Sequence, residues 1–225
     1  MDRYVEYDHD VSKFLRDTKF LGADSEKAIL TYLRRHKDSI LLDCGFGAGG
    51  SMYLFSKYAS KVYGIDFTKK RVIEFRKRSK KLGLKNLVIQ EGDVRKLRYR
   101  DEFFDVTYSF SVLFYLQPIE QEQAIKEMYR VTKKGGLCII NVGNSSSIFT
   151  AAWNKTFFNN LPQFFVSYSK AKRMITDAGF IIKNVEGFYL LPNLFPKIYD
   201  LTSNPVKFSL LKRFAFHLYF ICEKK

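Results

Sequence analysis

Ile40-Leu41-Leu42-Asp43-Cys44-Gly45-Phe46-Gly47-Ala48-Gly49-Gly50 is the stretch on which the reading of this chain turns. Its apolar start is short enough for a buried parallel strand, it reaches an acid, and it breaks into glycines ahead of a helical pattern from Ser51 to Tyr58. A strand, a tight turn and a helix follow from that order. Glycines at 45, 47 and 49 let the backbone turn sharply and let a ligand lie against main-chain N–H groups where a side chain would stand in the way. Such a loop suits a nucleotide-like ligand.

The same glycines permit two ligand classes. Gly45, Gly47 and Gly50 fit G-x-G-x-x-G, and Asp66 follows at about the 20-residue spacing of a dinucleotide fingerprint. Asp43 weighs against that reading, because a carboxylate at the strand end repels a pyrophosphate and favours a ligand with an ammonium group, such as S-adenosylmethionine. Asp43, Gly45, Gly47 and Gly49, spaced as Asp-x-Gly-x-Gly-x-Gly, resemble the first motif of the class I S-adenosylmethionine-dependent methyltransferases. The resemblance implies an α/β fold with a Rossmann-like doubly wound seven-stranded sheet, mostly parallel with an antiparallel last strand. It also implies S-adenosyl-L-methionine as cofactor and methyl transfer as the activity.

The rest of the chain extends the pattern. Lys61 to Asp66 reads as a second strand ending in an acid, followed from Thr68 by a helix to about Leu82 that Gly83 closes. A strand-end acid facing a nucleoside accepts from both ribose hydroxyls, the role the resemblance gives Asp66, and Phe67 beside it is placed to cover an adenine face. Asn86 to Gln90 reads as the third strand, running into Gly92-Asp93-Val94. There the resemblance puts the adenine-binding acid, Asp93, with the next backbone N–H meeting a ring nitrogen. By itself Gly-Asp is an ordinary turn. The fourth strand, Phe103 to Ser111, starts with Asp105, a structural acid far from the ligand edge, and ends in Ser109, Phe110 and Ser111, whose carbonyls face the ammonium end of the cofactor. Glu127-Met128-Tyr129-Arg130-Val131 followed by Gly135-Gly136 resembles the family's Glu-x-x-Arg-Val-Leu-Lys-Pro-Gly-Gly segment, with Lys134 in place of proline. A strand from Leu137 to Val142, a helix from Ser169 to Ala178 and strands over 180–188 and 214–222 complete the expected order.

At 225 residues and 46% hydrophobic content the chain reads as a single domain over 1–225. Within it, 1–39 is an N-terminal lid or helical segment, 40–143 the cofactor-binding core, 144–167 and 189–213 an aromatic cap over the acceptor, and 214–225 the last strand. No apolar run approaches the roughly 20 residues of a membrane span, and acids stud the first ten positions, so a soluble cytoplasmic protein is expected, peripheral membrane contact aside. Cys44, Cys138 and Cys222 lie far apart in apolar runs and read as buried thiols; with His9, His36 and His217 the only histidines, no metal site is expected.

The net charge of +15 suits nucleic acid, an anionic surface, an acidic substrate or merely a solvated lysine-rich exterior. The densest basic run, Lys69 to Lys81, carries Val72, Ile73 and Phe75 at helical spacing and reads as a solvated helix face. Two rivals therefore stand beside methyl transfer: an NAD-dependent oxidoreductase and an RNA-binding or RNA-methylating protein. No Tyr-x-x-x-Lys pair lies at the fourth-strand edge to serve hydride transfer, and no RNA-binding module is appended. An Asn/Asp-Pro-Pro-Tyr motif for base-amine methylation is absent as well. The expected acceptor is a small molecule, lipid or glycan precursor, and the aromatics of the cap slightly favour an apolar or planar one. Where that acceptor must lose a proton, Tyr115, His9 and Tyr4 are the candidate bases, each with packing as its competing role.

Overall fold

The computed structural model describes residues 23–147, 150, 162–188 and 211–225. Tyr4, His9, residues 148, 149 and 151–161 of the first cap segment and 189–210 of the second lie outside the described residues.

Helix α1 (Ala23–Arg35) leads into β1 (Ile40–Cys44), α2 (Gly50–Phe55), β2 (Lys61–Asp66), α3 (Lys69–Lys81) and β3 (Leu87–Glu91). Then come β4 (Phe104–Ser109), a 3-10 turn (Leu113–Tyr115), α4 (Pro118–Val131), β5 (Thr132–Gly143), α5 (Tyr168–Asp177), β6 (Phe180–Phe188), a second 3-10 turn (Leu211–Phe214) and β7 (His217–Lys224). The seven strands form one sheet in the order β3-β2-β1-β4-β5-β7-β6. The pairs from β3 through β5 are parallel, and β7 runs antiparallel to both of its neighbours. This is the expected doubly wound sheet with an antiparallel last strand.

Central strands buried on both faces explain the continuous apolar runs in the sequence. Along β1, Leu41 packs with Ile29, Met52 and Phe55 on one side of the sheet, while Leu42 packs with Phe104, Ile125 and Met128 on the other. The carboxyl ends of β1, β2 and β4, where loops gather, form the edge at which doubly wound sheets hold ligands.

The Glu127/Arg130 pair of the family-like segment ties α4 to the loop before β4. Glu127 accepts from the Leu97 N–H at 2.8 Å, and Arg130 donates to the carbonyls of Leu97 and Tyr99. Asp105 lies at the opposite edge from the ligand loops, accepting from the Ile40 N–H at 2.8 Å and from Lys133 Nζ at 2.7 Å.

Within helix α1 the Ser25 N–H donates to the buried Glu186 carboxylate at 2.9 Å, a partner 161 residues away. Several boundaries differ from the sequence reading. Helix α2 stops at Phe55, and β7 begins at His217 after its 3-10 turn. The Lys133-Lys134-Gly135-Gly136 turn is absorbed into β5: Phe104 pairs with Thr132, Val106 with Leu137, and the residues between bulge out with Gly135 at φ 69°. The basic helix α3 is not only a solvated face. Arg76 donates to the Ile89 carbonyl and Arg78 to the Ala48 carbonyl in the glycine loop. Cys138 and Cys222 stand opposite each other across β5 and β7, and burial raises both thiols, Cys138 to about 12, so they stay protonated. No helix among the described residues is long and apolar enough to cross a membrane.

Candidate functional site

Asp43 lies beneath the glycine loop with 1% of its surface exposed. Its register neighbours are Gly64 on β2 and Tyr108 on β4, and the Ser51 hydroxyl of α2 donates to its Oδ2 at 2.6 Å. Burial pushes the carboxyl up to about 7; Ser51 and Tyr108 oppose the shift by favouring the charged form. The fully buried Tyr108 hydroxyl sits beside Asp43 without a well-formed hydrogen bond to it.

The loop itself is tightly made. Gly45 and Phe46 donate their N–H groups to the Ile65 carbonyl at 2.8 and 3.2 Å, Gly49 donates to the Phe46 carbonyl at 2.8 Å, and Gly47 donates to Asp66 Oδ2 at 2.9 Å. These four N–H groups are spent inside the protein, whereas the sequence reading had them facing a ligand. The glycines also divide by role. All three adopt positive φ, but a Cβ on Gly45 would strike Val112 at 2.3 Å and one on Gly49 would strike Phe75 at 2.2 Å. A Cβ on Gly47 would meet nothing closer than Arg71 Nη1 at 3.6 Å, so Gly47 alone faces open space.

Asp66 closes β2 from the other side. Its Oδ1 accepts the Thr68 N–H at 2.8 Å, and Arg71 Nη1 stands 4.0 Å from its Oδ2. Phe67 is 53% exposed next to it. At the end of β3, Gly92 donates to the Asp66 carbonyl at 3.1 Å, which sets the Asp93 turn against the same corner, with Val94 buried behind it. Asp93 accepts from the Arg95 N–H at 2.8 Å and from the Arg95 guanidinium, which holds its carboxyl below the usual range, and Arg95 also pairs with Glu120. A carboxylate has about four lone-pair sites, so an adenine amino group placed there would share Asp93 with Arg95 rather than take it alone.

At the β4 edge, the Ser109 hydroxyl donates to the Cys44 carbonyl at 3.1 Å, joining β4 to the base of the glycine loop. Phe110 packs on Tyr108 and Tyr219, and Ser111, at φ 57°, donates its N–H to Asn141 Oδ1 at 2.9 Å. Tyr115, half-buried in the 3-10 turn, stacks obliquely on Phe114. The described end of the first cap segment docks here: Phe164 donates its N–H to the Phe114 carbonyl at 2.7 Å, and the Phe165 ring lies over Gly143 near Phe114 and Phe216. His217 completes this aromatic wall, and burial lowers its imidazole to about 4, leaving it neutral at physiological pH.

Asp43, Gly45, Phe46, Gly47, Gly49, Asp66 and Phe67 thus meet at one corner of the sheet, with Gly92 and Asp93 beside it and Ser109 to Ser111 across β1. Ser51, Tyr108, Arg71, Arg95 and Asn141 were not singled out by sequence reasoning. Only Ser51, at the start of a helix eight residues past the strand acid, offered a readable signal. Acids at the ends of two adjacent strands, open space at Gly47 and loop N–H groups already bonded suit a ligand bearing an ammonium group and ribose hydroxyls. They offer little to a pyrophosphate, so the residues fit S-adenosylmethionine better than a dinucleotide.

Comparison with known proteins agrees. Residues 42–140 match the family described as a methyltransferase domain. The ubiquinone/menaquinone biosynthesis C-methyltransferase of Bdellovibrio bacteriovorus is 31% identical over 142 residues, covering 61% of this chain and 59% of that protein. Phosphoethanolamine N-methyltransferase 1 of Zea mays is 30% identical over 122 residues, covering 53% of this chain and 24% of that protein. The chain therefore spans less than two thirds of the length of these relatives. Among solved structures, the PH0226 protein of Pyrococcus horikoshii superposes with a TM-score of 0.71 at 17% identity, over 100% of this chain and 96% of that one. That likeness concerns the fold.

Proposed function

We propose that the chain is a class I S-adenosylmethionine-dependent methyltransferase, taking its methyl group from S-adenosylmethionine and passing it to a small-molecule or lipid-like acceptor; the methyltransferase-domain match over 42–140 and the methyltransferase relatives support this reading. The observation that carries the proposal is the corner where Gly47 donates to Asp66 above the buried Asp43–Ser51 pair.

When bound, S-adenosylmethionine supplies a sulfonium methyl already activated for displacement. The task left to the protein is geometric. Asp66, held by two backbone N–H groups, is oriented to accept from ribose hydroxyls, and exposed Phe67 offers a face to the adenine. Asp43 places a carboxyl that titrates near neutrality under the amino-acid end, where a nearby ammonium favours its charged form. Phe114, Phe165, Phe216 and His217 form an apolar wall at the neighbouring strand ends, which keeps water away and holds the acceptor in a near-attack position. Tyr115 is the described side chain from the sequence candidates that stands near this wall, as shape or as base.

Relatives named for quinone-precursor, phosphoethanolamine and phosphatidylethanolamine methylation support an acceptor in the small-molecule or lipid-like range. Calorimetry with S-adenosylmethionine, its demethylated product and a nicotinamide dinucleotide tests the reading. Binding of the first two without the third supports it; binding of the dinucleotide alone overturns it in favour of the oxidoreductase.

A further inference from the structure

A second concave site lies on the same carboxyl edge of the sheet, beyond β4, where β5 ends and β7 begins. It is a groove of 570 Å³ between the outer face of α5 and the 3-10 turn before β7. Lys172, Arg173 and Arg213 line it, together with the hydroxyl residues Ser146, Ser169 and Thr176, and among the described residues no carboxylate does. Ser169, Lys172, Arg173 and Thr176 share one face of α5, while Ala171, Met174 and Ile175 bury the other. None of the three cations has a carboxylate partner among the described residues, although like charges brought together in one hollow repel.

The walls are built rather than casual. Asn144, fully buried, donates to the carbonyls of Arg213 and Ala215 at 2.8 and 2.7 Å and accepts the Ser146 N–H at 3.0 Å, so one side chain fixes two walls. The Arg213 guanidinium lies 5.5 Å from the centre of the Tyr168 ring at the start of α5, which joins the third. At the rim Phe214 leaves 48% of its surface to solvent, a platform for the apolar part of a ligand.

We propose that this groove binds a phosphate group, borne by a soluble phosphorylated compound or by a lipid headgroup. A phosphate monoester, such as a phosphorylated metabolite or a phosphatidic acid headgroup, carries nearly two charges and three acceptor oxygens, matching several cations and hydroxyls, whereas a carboxylate has one charge and two oxygens and leaves donors unused. The inference does not depend on methyl transfer, since phosphate binding is read without donor or turnover.

Inorganic phosphate is titrated at constant ionic strength while the amide resonances of Ser146, Ser169 and Lys172 are followed. The expected result is saturable shifts centred on the groove. The double variant Lys172→Gln/Arg213→Gln should raise the apparent Kd about tenfold or more. Lys77→Gln/Lys80→Gln removes the same charge from α3 at the other end of the sheet and should change it by less than about twofold. Melting curves establish that both variants are folded. Sedimentation with phosphatidylcholine vesicles, with and without phosphatidic acid, separates the sources. Pelleting that requires phosphatidic acid and is lost only in the groove variant assigns a lipid headgroup; phosphate binding without pelleting assigns a soluble ligand. Absence of both, or equal losses in the two variants, overturns the proposal.

Discussion

Gly47 donates its backbone N–H to Asp66 Oδ2 at 2.9 Å, across 19 residues of chain, so the acid at the end of β2 also holds the tip of the glycine loop. One carboxylate thereby shapes the loop, and on the proposed reading it also presents lone pairs to the ligand, so that substitution there would remove both functions.

Asp66→Ala is expected to weaken S-adenosylmethionine binding by about 1.5–3 kcal/mol, the range for losing charge-assisted hydrogen bonds to a ligand. Asp66→Asn retains one acceptor oxygen and should fall between the parent and the Ala variant. Calorimetric affinities equal to the parent in both variants would remove Asp66 from the site.

Gly47 and Gly49 should separate binding from stability. Gly47→Ala projects its methyl into open space, so it should melt near the parent, less about 1–2 kcal/mol for the left-handed backbone, and lose cofactor affinity. Gly49→Ala drives a methyl into Phe75 and should lose more stability, about 2–4 kcal/mol from overpacking added to the same backbone strain. If Gly47→Ala binds cofactor like the parent, the open face of the loop is not where the ligand lies.

Asp43 sets a pH dependence whose sign follows from its folded-state carboxyl titrating at about 7 against an ordinary value of 3.8. Between those values the folded protein holds a proton that the unfolded chain has released, so this group's contribution to stability falls as pH rises through the window and levels off above 7. Asp43→Asn should therefore gain on the parent in denaturant midpoint as pH is raised from 4 to 8. Cofactor binding near pH 6 should release a proton as the arriving ammonium favours the carboxylate, visible as a calorimetric enthalpy that varies with buffer in the parent and not in the variant. Parallel stability profiles would show that Asp43 is not the titrating group.

How much of this was legible depended on whether the relevant information was local. Strand-end acids and positive-φ glycines leave marks in a dozen consecutive residues, so Asp43, Gly47 and Asp66 could be found without coordinates. Ser51 over Asp43, Tyr108 beside it and Arg95 across Asp93 arise from how strands and turns are brought together. No spacing rule announces Arg213 above Tyr168, 45 positions away, or Cys138 opposite Cys222. The N–H groups of the glycine loop illustrate the limit in the other direction: their sequence suggested donors for a ligand, and tertiary structure spends them on Ile65, Phe46 and Asp66. The bulge in β5 was unreadable for a similar reason, since Lys133 to Gly136 look like a turn until Thr132 finds Phe104.

The aromatic wall gives the last prediction. Phe165 lies over Gly143, where any side chain would collide with its ring, and it touches Phe114 and Phe216 near Tyr115. If this wall bounds the acceptor site, Phe165→Leu should raise the acceptor KM several-fold while leaving cofactor affinity within about 0.5 kcal/mol, because the donor corner lies across β4. Packing alone predicts a lower melting temperature with KM unchanged. Tyr115→Phe separates shape from chemistry at the same wall. A base that takes the acceptor's proton contributes typically 10²–10⁴-fold, so its loss would lower kcat by about that factor and abolish the matching limb of the pH–rate profile. A ring that only shapes the site would leave both nearly unchanged. Because His217 is neutral with its imidazole near 4, a rise in rate with pH above that range that disappears in Tyr115→Phe belongs to Tyr115, and one that persists belongs to another group.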